Sequence, residues 1–262
     1  MLEHIFLGIV QGLTEFLPVS SSGHLALFEQ ILKIPKTGVV FDMILHLGTL
    51  LAVFYLFWGR LWSLLLSLFR RDENLRLVGL LVVASVPTAL IGFVVRKWAE
   101  DAFQSSLAVG LGLLFTGTLL FAVERRRRPD REKAMSQLGW LDAIWVGILQ
   151  GVAVFPGVSR SGSTISAGLF RGMKRDAAAE FSFILGIPAI IGAAAFEVKD
   201  ALQESANHSW GLYGAGAIAA FVFGVLSIKW LLQILRTRTM NPFAYYCWAL
   251  GLLAIIWSFF KP

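Results

Sequence analysis

The chain has 262 residues, of which 56% are hydrophobic and only 15% charged, with nine Trp and 21 Phe. That balance excludes a water-soluble domain and matches a polytopic membrane protein, whose main solvent is the bilayer. The net charge of +6 does not call for nucleic acid or an acidic partner, because the basic residues cluster beside apolar stretches, as membrane orientation requires.

In chain order, Met1 to Gly12 lacks the basic start and small-residue cleavage site of a signal peptide, so this segment reads as part of the mature protein. A hydrocarbon core of ~30 Å takes roughly 20 apolar residues in a helix. The first apolar stretch, about 3–33, is broken in the middle by Pro, Gly and Ser, so neither half can span and it reads as a re-entrant hairpin. Three spans follow, at about 41–59, 76–96 and 106–124. Residues 125–138 open with RRRRPDREK and read as a solvated cytoplasmic linker without catalysis. A second broken stretch, about 139–172, reads as another hairpin, and spans at about 177–197, 211–235 and 243–260 complete the chain. The expected fold is an all-α polytopic membrane protein with six transmembrane helices plus two re-entrant helical hairpins. Cys247 stands alone in the last span and reads as packing.

The two hairpins repeat one another. QGLTEFLPVSSSGH, Gln11 to His24, returns 139 positions later as QGVAVFPGVSRSGS, Gln150 to Ser163, with seven of fourteen positions identical against about one expected by chance. Asp42-Met-Ile-Leu-His-Leu-Gly likewise pairs with Glu180-Phe-Ser-Phe-Ile-Leu-Gly at an offset of 138. Loop charge sets the orientation of each copy. Arg60, Arg70, Arg71, Arg76, Arg125 to Arg128, Arg131, Lys133, Arg171, Lys174, Arg175, Lys229, Arg236 and Arg238 fall on one side, which is therefore cytoplasmic. The other side holds Lys33, Lys36, Arg96, Lys97, Lys199 and Lys261, diluted by acids. The first copy then enters its first span from outside and the second from inside, so the repeats, 1–124 and 139–262, are expected to be inverted.

The copies differ where chemistry would matter. A Ser/Gly turn leading into a helix offers unpaired N–H groups and a positive dipole end to phosphate. Both PVSSSGH, with Ser20 and Ser22, and PGVSRSGST, with Ser159, Ser161 and Thr164, have that form. Arg160 adds a planar permanent cation suited to phosphate oxygens. Gln11 and Glu15 lie four apart on one helix face, and a carboxylate in an apolar segment needs a partner, either Arg160 or a divalent metal. Oxygen donors without a Cys/His cluster favour Mg²⁺ or Ca²⁺ over zinc. His24, just after the Ser triplet, is placed to act as general base and acid for Ser21. Either Ser21 attacks phosphorus or a metal-bound water does. His4 and His208 read as incidental, and His46 as structural rather than catalytic.

These residues resemble the bacterial undecaprenyl-diphosphate phosphatases, the bacitracin-resistance membrane phosphatases. Gln11-Gly-Leu-Thr-Glu15 fits an (E/Q)xxxE pattern, Phe16-Leu-Pro-Val-Ser-Ser-Ser-Gly-His24 follows it, and Pro156 to Thr164 fits PGxSRSxxT. Gln11 stands where many members have Glu. The resemblance covers nearly the whole chain. It implies hydrolysis of undecaprenyl diphosphate to undecaprenyl phosphate and inorganic phosphate in the bacterial cytoplasmic membrane, recycling the carrier for envelope polymers. It also implies dependence on Mg²⁺ or Ca²⁺ and a site open to the outer face. By motif position, Glu15 and Gln11 would lie at the metal or the diphosphate, Ser21 would be the candidate nucleophile, His24 its base or acid, and Ser159, Arg160 and Thr164 would bind phosphate. The partners are the prenyl lipid and membrane, not nucleic acid, with a homodimer admitted. The rival class is an inverted-repeat secondary transporter or polyprenyl-phosphate flippase; the asymmetric placing of Ser21 and His24 favours the enzyme.

Overall fold

The computed structural model describes residues 1–32, 38–126, 132–203 and 209–260, with the side chains of residues 197 and 199–203 left aside. Lys33, Lys36, Arg127, Arg128, Arg131, His208 and Lys261 of the sequence reading lie outside the described residues, as does the Lys199 side chain. The helices are α1 (Leu2–Phe16), α2 (Ser21–Leu32), α3 (Val39–Arg70), α4 (Asn74–Ala102), α5 (Ser106–Arg126), α6 (Trp140–Val152), α7 (Arg160–Phe170), α8 (Arg175–Gln203), α9 (Trp210–Thr237) and α10 (Asn241–Phe260).

Six of these, α3, α4, α5, α8, α9 and α10, are long and apolar enough to cross a membrane. They present Trp58, Trp62, Phe93, Trp98, Trp230 and Phe259 outward, as a bilayer allows and water does not. The protein is thus a multi-pass, all-α membrane protein. At 1.5 Å per residue, α1, α2, α6 and α7 measure only about 16–23 Å, short of a ~30 Å core. Each short pair meets at a turn made by the repeated motif.

The first span is longer than expected. Arg60 is not in a loop after residue 59; α3 runs on to Arg70, because Leu61 to Phe69 continues an apolar stripe that buries Leu64 and Ser67. Its axis is broken at Phe57, whose φ of −109° and ψ of 17° are not helical. Arg60 Nε then reaches Glu180 Oε1 on α8 at 2.9 Å and its Nη1 reaches Asn74 Oδ1 at 2.9 Å, joining three helices.

Two small-residue stripes place the short helices. Gly8 and Gly12 of α1 pack on Gly216, Ala220 and Gly224 of α9, so closely that a Cβ at either glycine would overlap the α9 backbone. Gly147 and Gly151, 139 positions on, pack as closely from α6 on α4, where a Cβ would overlap the Ala84 carbonyl and the Ile91 side chain respectively. Close backbone approach through glycine is how helices associate where the solvent is itself apolar. The first short helix of each pair, α1 and α6, therefore docks on a spanning helix from the other half of the sequence, and α5 packs along α10 across the same division.

Candidate functional site

The motif turns are built from different backbones. In the second copy Ser159 is extended (φ −72°, ψ 121°) and caps α7 by accepting the Gly162 N–H at 3.0 Å. The left-handed residue there is Gly157, φ 82°, pressed against the Val109 carbonyl, where a Cβ has no room. In the first copy the position of Gly157 is taken by Pro18, which is fixed at negative φ, and the left-handed residue is Ser20, φ 69°. An L side chain in that region costs about 1–2 kcal/mol. Ser20 Oγ still accepts the Gly23 N–H, at 3.3 Å, and so caps α2.

Glu15 is where the two copies meet. Its Oε1 accepts from Arg160 Nη2, and its Oε2 accepts the Ser21 hydroxyl at 2.5 Å and Gln11 Nε2 at 3.1 Å. The side chain of Glu15 is only 6% exposed, and that of Arg160 16%, so the pair is nearly dry. Gly186 of α8 leaves the space that the guanidinium fills; a Cβ there would coincide with it. His46, set aside in the sequence as structural, lies within electrostatic range of Glu15 from α3, its Nδ1–H donated to the Asp42 carbonyl at 2.8 Å. No local pattern marks His46, because only the packing of α3 against α1 brings it there.

The serines divide by task. Ser22 Oγ lies 3.3 Å from Ser20 Oγ, and Ser161 Oγ lies 3.2 Å from Ser159 Oγ while donating to the Leu17 carbonyl at 3.0 Å, which ties one turn to the other. Thr164 Oγ1 meets Ser182 Oγ of α8 at 2.5 Å, a partner not legible from the motif. Thr116 of α5, also missed, accepts the Ser159 N–H and donates to the Gly157 carbonyl, both at 2.9 Å. The expected Ser21–His24 pair is not formed. His24 Nδ1 is 2.7 Å from the Ser20 carbonyl and Nε2 2.7 Å from the Tyr246 hydroxyl of α10, so both ring nitrogens are occupied away from Ser21. What faces Ser21 is Glu15.

Hard cations take oxygen ligands. Among the described residues no group of three or more His, Cys, Asp or Glu could cage one. Gln11 Oε1, however, is a fully buried carbonyl oxygen without a hydrogen-bond partner, on the amide whose Nε2 donates to Glu15. One carboxylate and one orphaned amide oxygen fit a hard divalent ion that also takes oxygens from a phosphate ligand.

The profile of the family described as Bacitracin resistance protein BacA matches residues 4–253. The chain belongs to this family. Among curated relatives, the undecaprenyl-diphosphatase of Halothermothrix orenii is 43% identical over 253 residues, covering 96% of each chain. That of Methanosphaera stadtmanae is 40% identical over 275 residues, covering 98% of each. That of Syntrophotalea carbinolica is 42% identical over 255 residues, covering 95% of this chain and 96% of its own. The BacA family match takes in both turns, the first five spanning helices and the start of the sixth.

Proposed function

We propose that this protein is a membrane phosphatase that hydrolyses undecaprenyl diphosphate to undecaprenyl phosphate and inorganic phosphate, returning the carrier to cell-wall synthesis. The observation that carries the reading is the convergence of Glu15 and Ser21 from the first turn with Arg160 from the second, in a chain similar along its whole length to undecaprenyl-diphosphatases. A polyprenyl tail is as apolar as the bilayer, so it can stay in lipid while the diphosphate enters between the turns.

Phosphoryl transfer asks mainly for positioning and charge neutralisation. In this reading the diphosphate draws Arg160 off Glu15. The guanidinium then neutralises phosphate oxygens in a site of low dielectric, where each contact is strong. Glu15 Oε2 takes the Ser21 proton along the hydrogen bond already present as Ser21 Oγ attacks the terminal phosphorus; the bond from that phosphorus to the bridging oxygen breaks, undecaprenyl phosphate leaves, and water then attacks the phosphoserine to release inorganic phosphate and restore the Ser21 hydroxyl. The N-termini of α2 and α7 present N–H groups to the same oxygens. Gln11 Oε1 and Glu15 would hold a Mg²⁺ or Ca²⁺ ion, which would withdraw charge from the diphosphate. The two repeats are taken to be inverted, with the turns open to the outer face of the cytoplasmic membrane. The interleaved docking of α1 on α9 and α6 on α4 supports that symmetry.

The test is phosphate release from polyprenyl diphosphate by the purified protein in detergent. Release abolished in Glu15→Gln and Arg160→Ala is the expected result. No release by the folded wild-type protein would overturn the assignment.

A further inference from the structure

His24 donates from Nδ1 to the Ser20 carbonyl, and a carbonyl oxygen can only accept, so Nδ1 carries the proton. In a neutral ring Nε2 is then an acceptor, and its partner must be a donor. The Tyr246 hydroxyl, 2.7 Å away on α10, is that donor. Second partners of this kind fix which imidazole nitrogen is protonated. The Ser20 carbonyl also accepts the His24 backbone N–H at 3.2 Å, so both donations fall on a non-glycine residue held in the left-handed region. The very next residue, Ser21, is the one hydrogen-bonded to Glu15.

The second repeat supplies an internal control. There the residue equivalent to Ser20 is Ser159, relaxed and extended, and the residue equivalent to His24 is Ser163. Ser163 is buried; its backbone N–H donates to the Ser159 carbonyl at 2.8 Å, as that of His24 does to Ser20, but its hydroxyl has no hydrogen-bond partner, so its side chain does not hold the turn. An imidazole reaching back to its own cap carbonyl occurs in the copy where the cap residue is left-handed, and not in the copy where it is relaxed.

We propose that Tyr246 is a positioning residue: its hydroxyl holds His24 in the Nδ1–H tautomer, and that ring pins the left-handed Ser20 turn which sets Ser21 against Glu15. His24 thus serves the reaction by holding the backbone rather than by exchanging a proton with Ser21. In the other tautomer a nitrogen lone pair would face the Ser20 carbonyl and the pin would be lost. Tyr246 also stacks on the imidazole, with ring centroids 5.6 Å apart and planes at 7°, so Tyr246→Phe keeps the packing and removes only the hydroxyl. The proposal rests on the phosphatase reading for its kinetic test and stands apart from it for its spectroscopic one.

The experiment compares the full-length wild-type protein with Tyr246→Phe, His24→Asn, His24→Gln and His24→Asn/Tyr246→Phe in detergent. Each is first checked for folding by thermal unfolding, then assayed for phosphate release from polyprenyl diphosphate. Tyr246→Phe should lower kcat about tenfold, the scale of one lost positioning hydrogen bond, with KM changed less than about twofold. Asn places an amide N–H where Nδ1 stood, so His24→Asn should keep measurable turnover, and adding Tyr246→Phe to it should change nothing further. Gln places its amide where Nε2 stood, so His24→Gln should be inactive. A folded His24→Asn as inactive as His24→Gln would overturn the proposal, because the imidazole itself would then carry the proton. Wild-type kcat in Tyr246→Phe, or an equal loss when it is added to His24→Asn, would also overturn it. In parallel, ¹⁵N-histidine NMR, with His24 assigned by its absence in His24→Asn, should show a protonated Nδ1 and bare Nε2 that Tyr246→Phe disturbs. A protonated Nε2 in the wild type would overturn the proposal whatever the activity. No phosphate release by wild type with the expected NMR pattern would sink the phosphatase reading and leave the tautomer lock intact.

Discussion

Arg160, the first residue of the helix after the second turn, donates to Glu15, in the last turn of the helix before the first turn, across 145 positions of sequence. Both side chains are largely buried, so each charge finds its counter-charge in the other rather than in water.

Removing one partner should therefore do more than stop the reaction. Arg160→Ala leaves a buried carboxylate unpaired and should destabilise the fold by about 3–5 kcal/mol. Glu15→Leu/Arg160→Met, equally inactive, should recover most of that loss. Thermal unfolding in one detergent decides the point; a double variant no more stable than Arg160→Ala would remove the pair from the account of stability. Arg160→Lys keeps the charge but loses the planar fork and should lower kcat/KM by roughly tenfold or more.

Gly186→Ala tests the same cation without touching it. The new methyl would occupy the guanidinium's place, so Arg160 must move off Glu15. Ala is otherwise the better helix former, by about 1 kcal/mol. We expect phosphate release to fall at least tenfold, an order-of-magnitude loss typical of a misplaced transition-state cation, while the helix stays intact by circular dichroism. Unchanged turnover would show that the guanidinium works from another position.

Chelation should reduce turnover, with Mg²⁺ or Ca²⁺ restoring it. Gln11→Glu supplies a second carboxylate where the orphaned Gln11 Oε1 now stands and should shift the metal midpoint to lower concentration. Metal-titrated phosphate release measures both effects, and full activity in chelator would exclude a metal at Gln11 and Glu15.

Asp142, at the start of α6, accepts the Gly139 N–H at 3.0 Å and faces Arg171 at 2.5 Å and Lys133 at 3.4 Å. Burial pushes its carboxyl up, but the Gly139 N–H, Arg171 and Lys133 together outweigh burial and hold it below the ordinary carboxylate range. A depressed folded value means that the stabilisation is complete above the unfolded value of about 3.9 and is lost as pH falls through the folded one. Asp142→Asn should therefore lower Tm at neutral pH, and the gap to wild type should narrow below about pH 4. A gap that does not change on acidification would show that the carboxylate charge is not what holds the start of α6.

By itself the sequence determined the class of the fold and the identity of the motif residues. Apolar runs of span length have only one stable backbone solution in lipid, and a helix broken by Pro, Gly and Ser cannot span, so the six long helices and the broken pairs were legible as spacing. The repeat also announced which positions differ, Glu15, Ser21 and His24 against Val154, Arg160 and Ser163. Only the tertiary structure decided who meets whom. The continuation of α3 past Arg60 follows an apolar stripe, but the partners of Arg60, Glu180 on α8 and Asn74 on α4, are set by packing. The transfer of His24 from Ser21 to Ser20 and Tyr246 depends on a left-handed backbone at Ser20, and Tyr246 lies 222 positions away. Residue types and spacing carry a chain's local periodicity, but the direction of a hydrogen bond is fixed by dihedral angles and by neighbours that arrive from elsewhere in the chain.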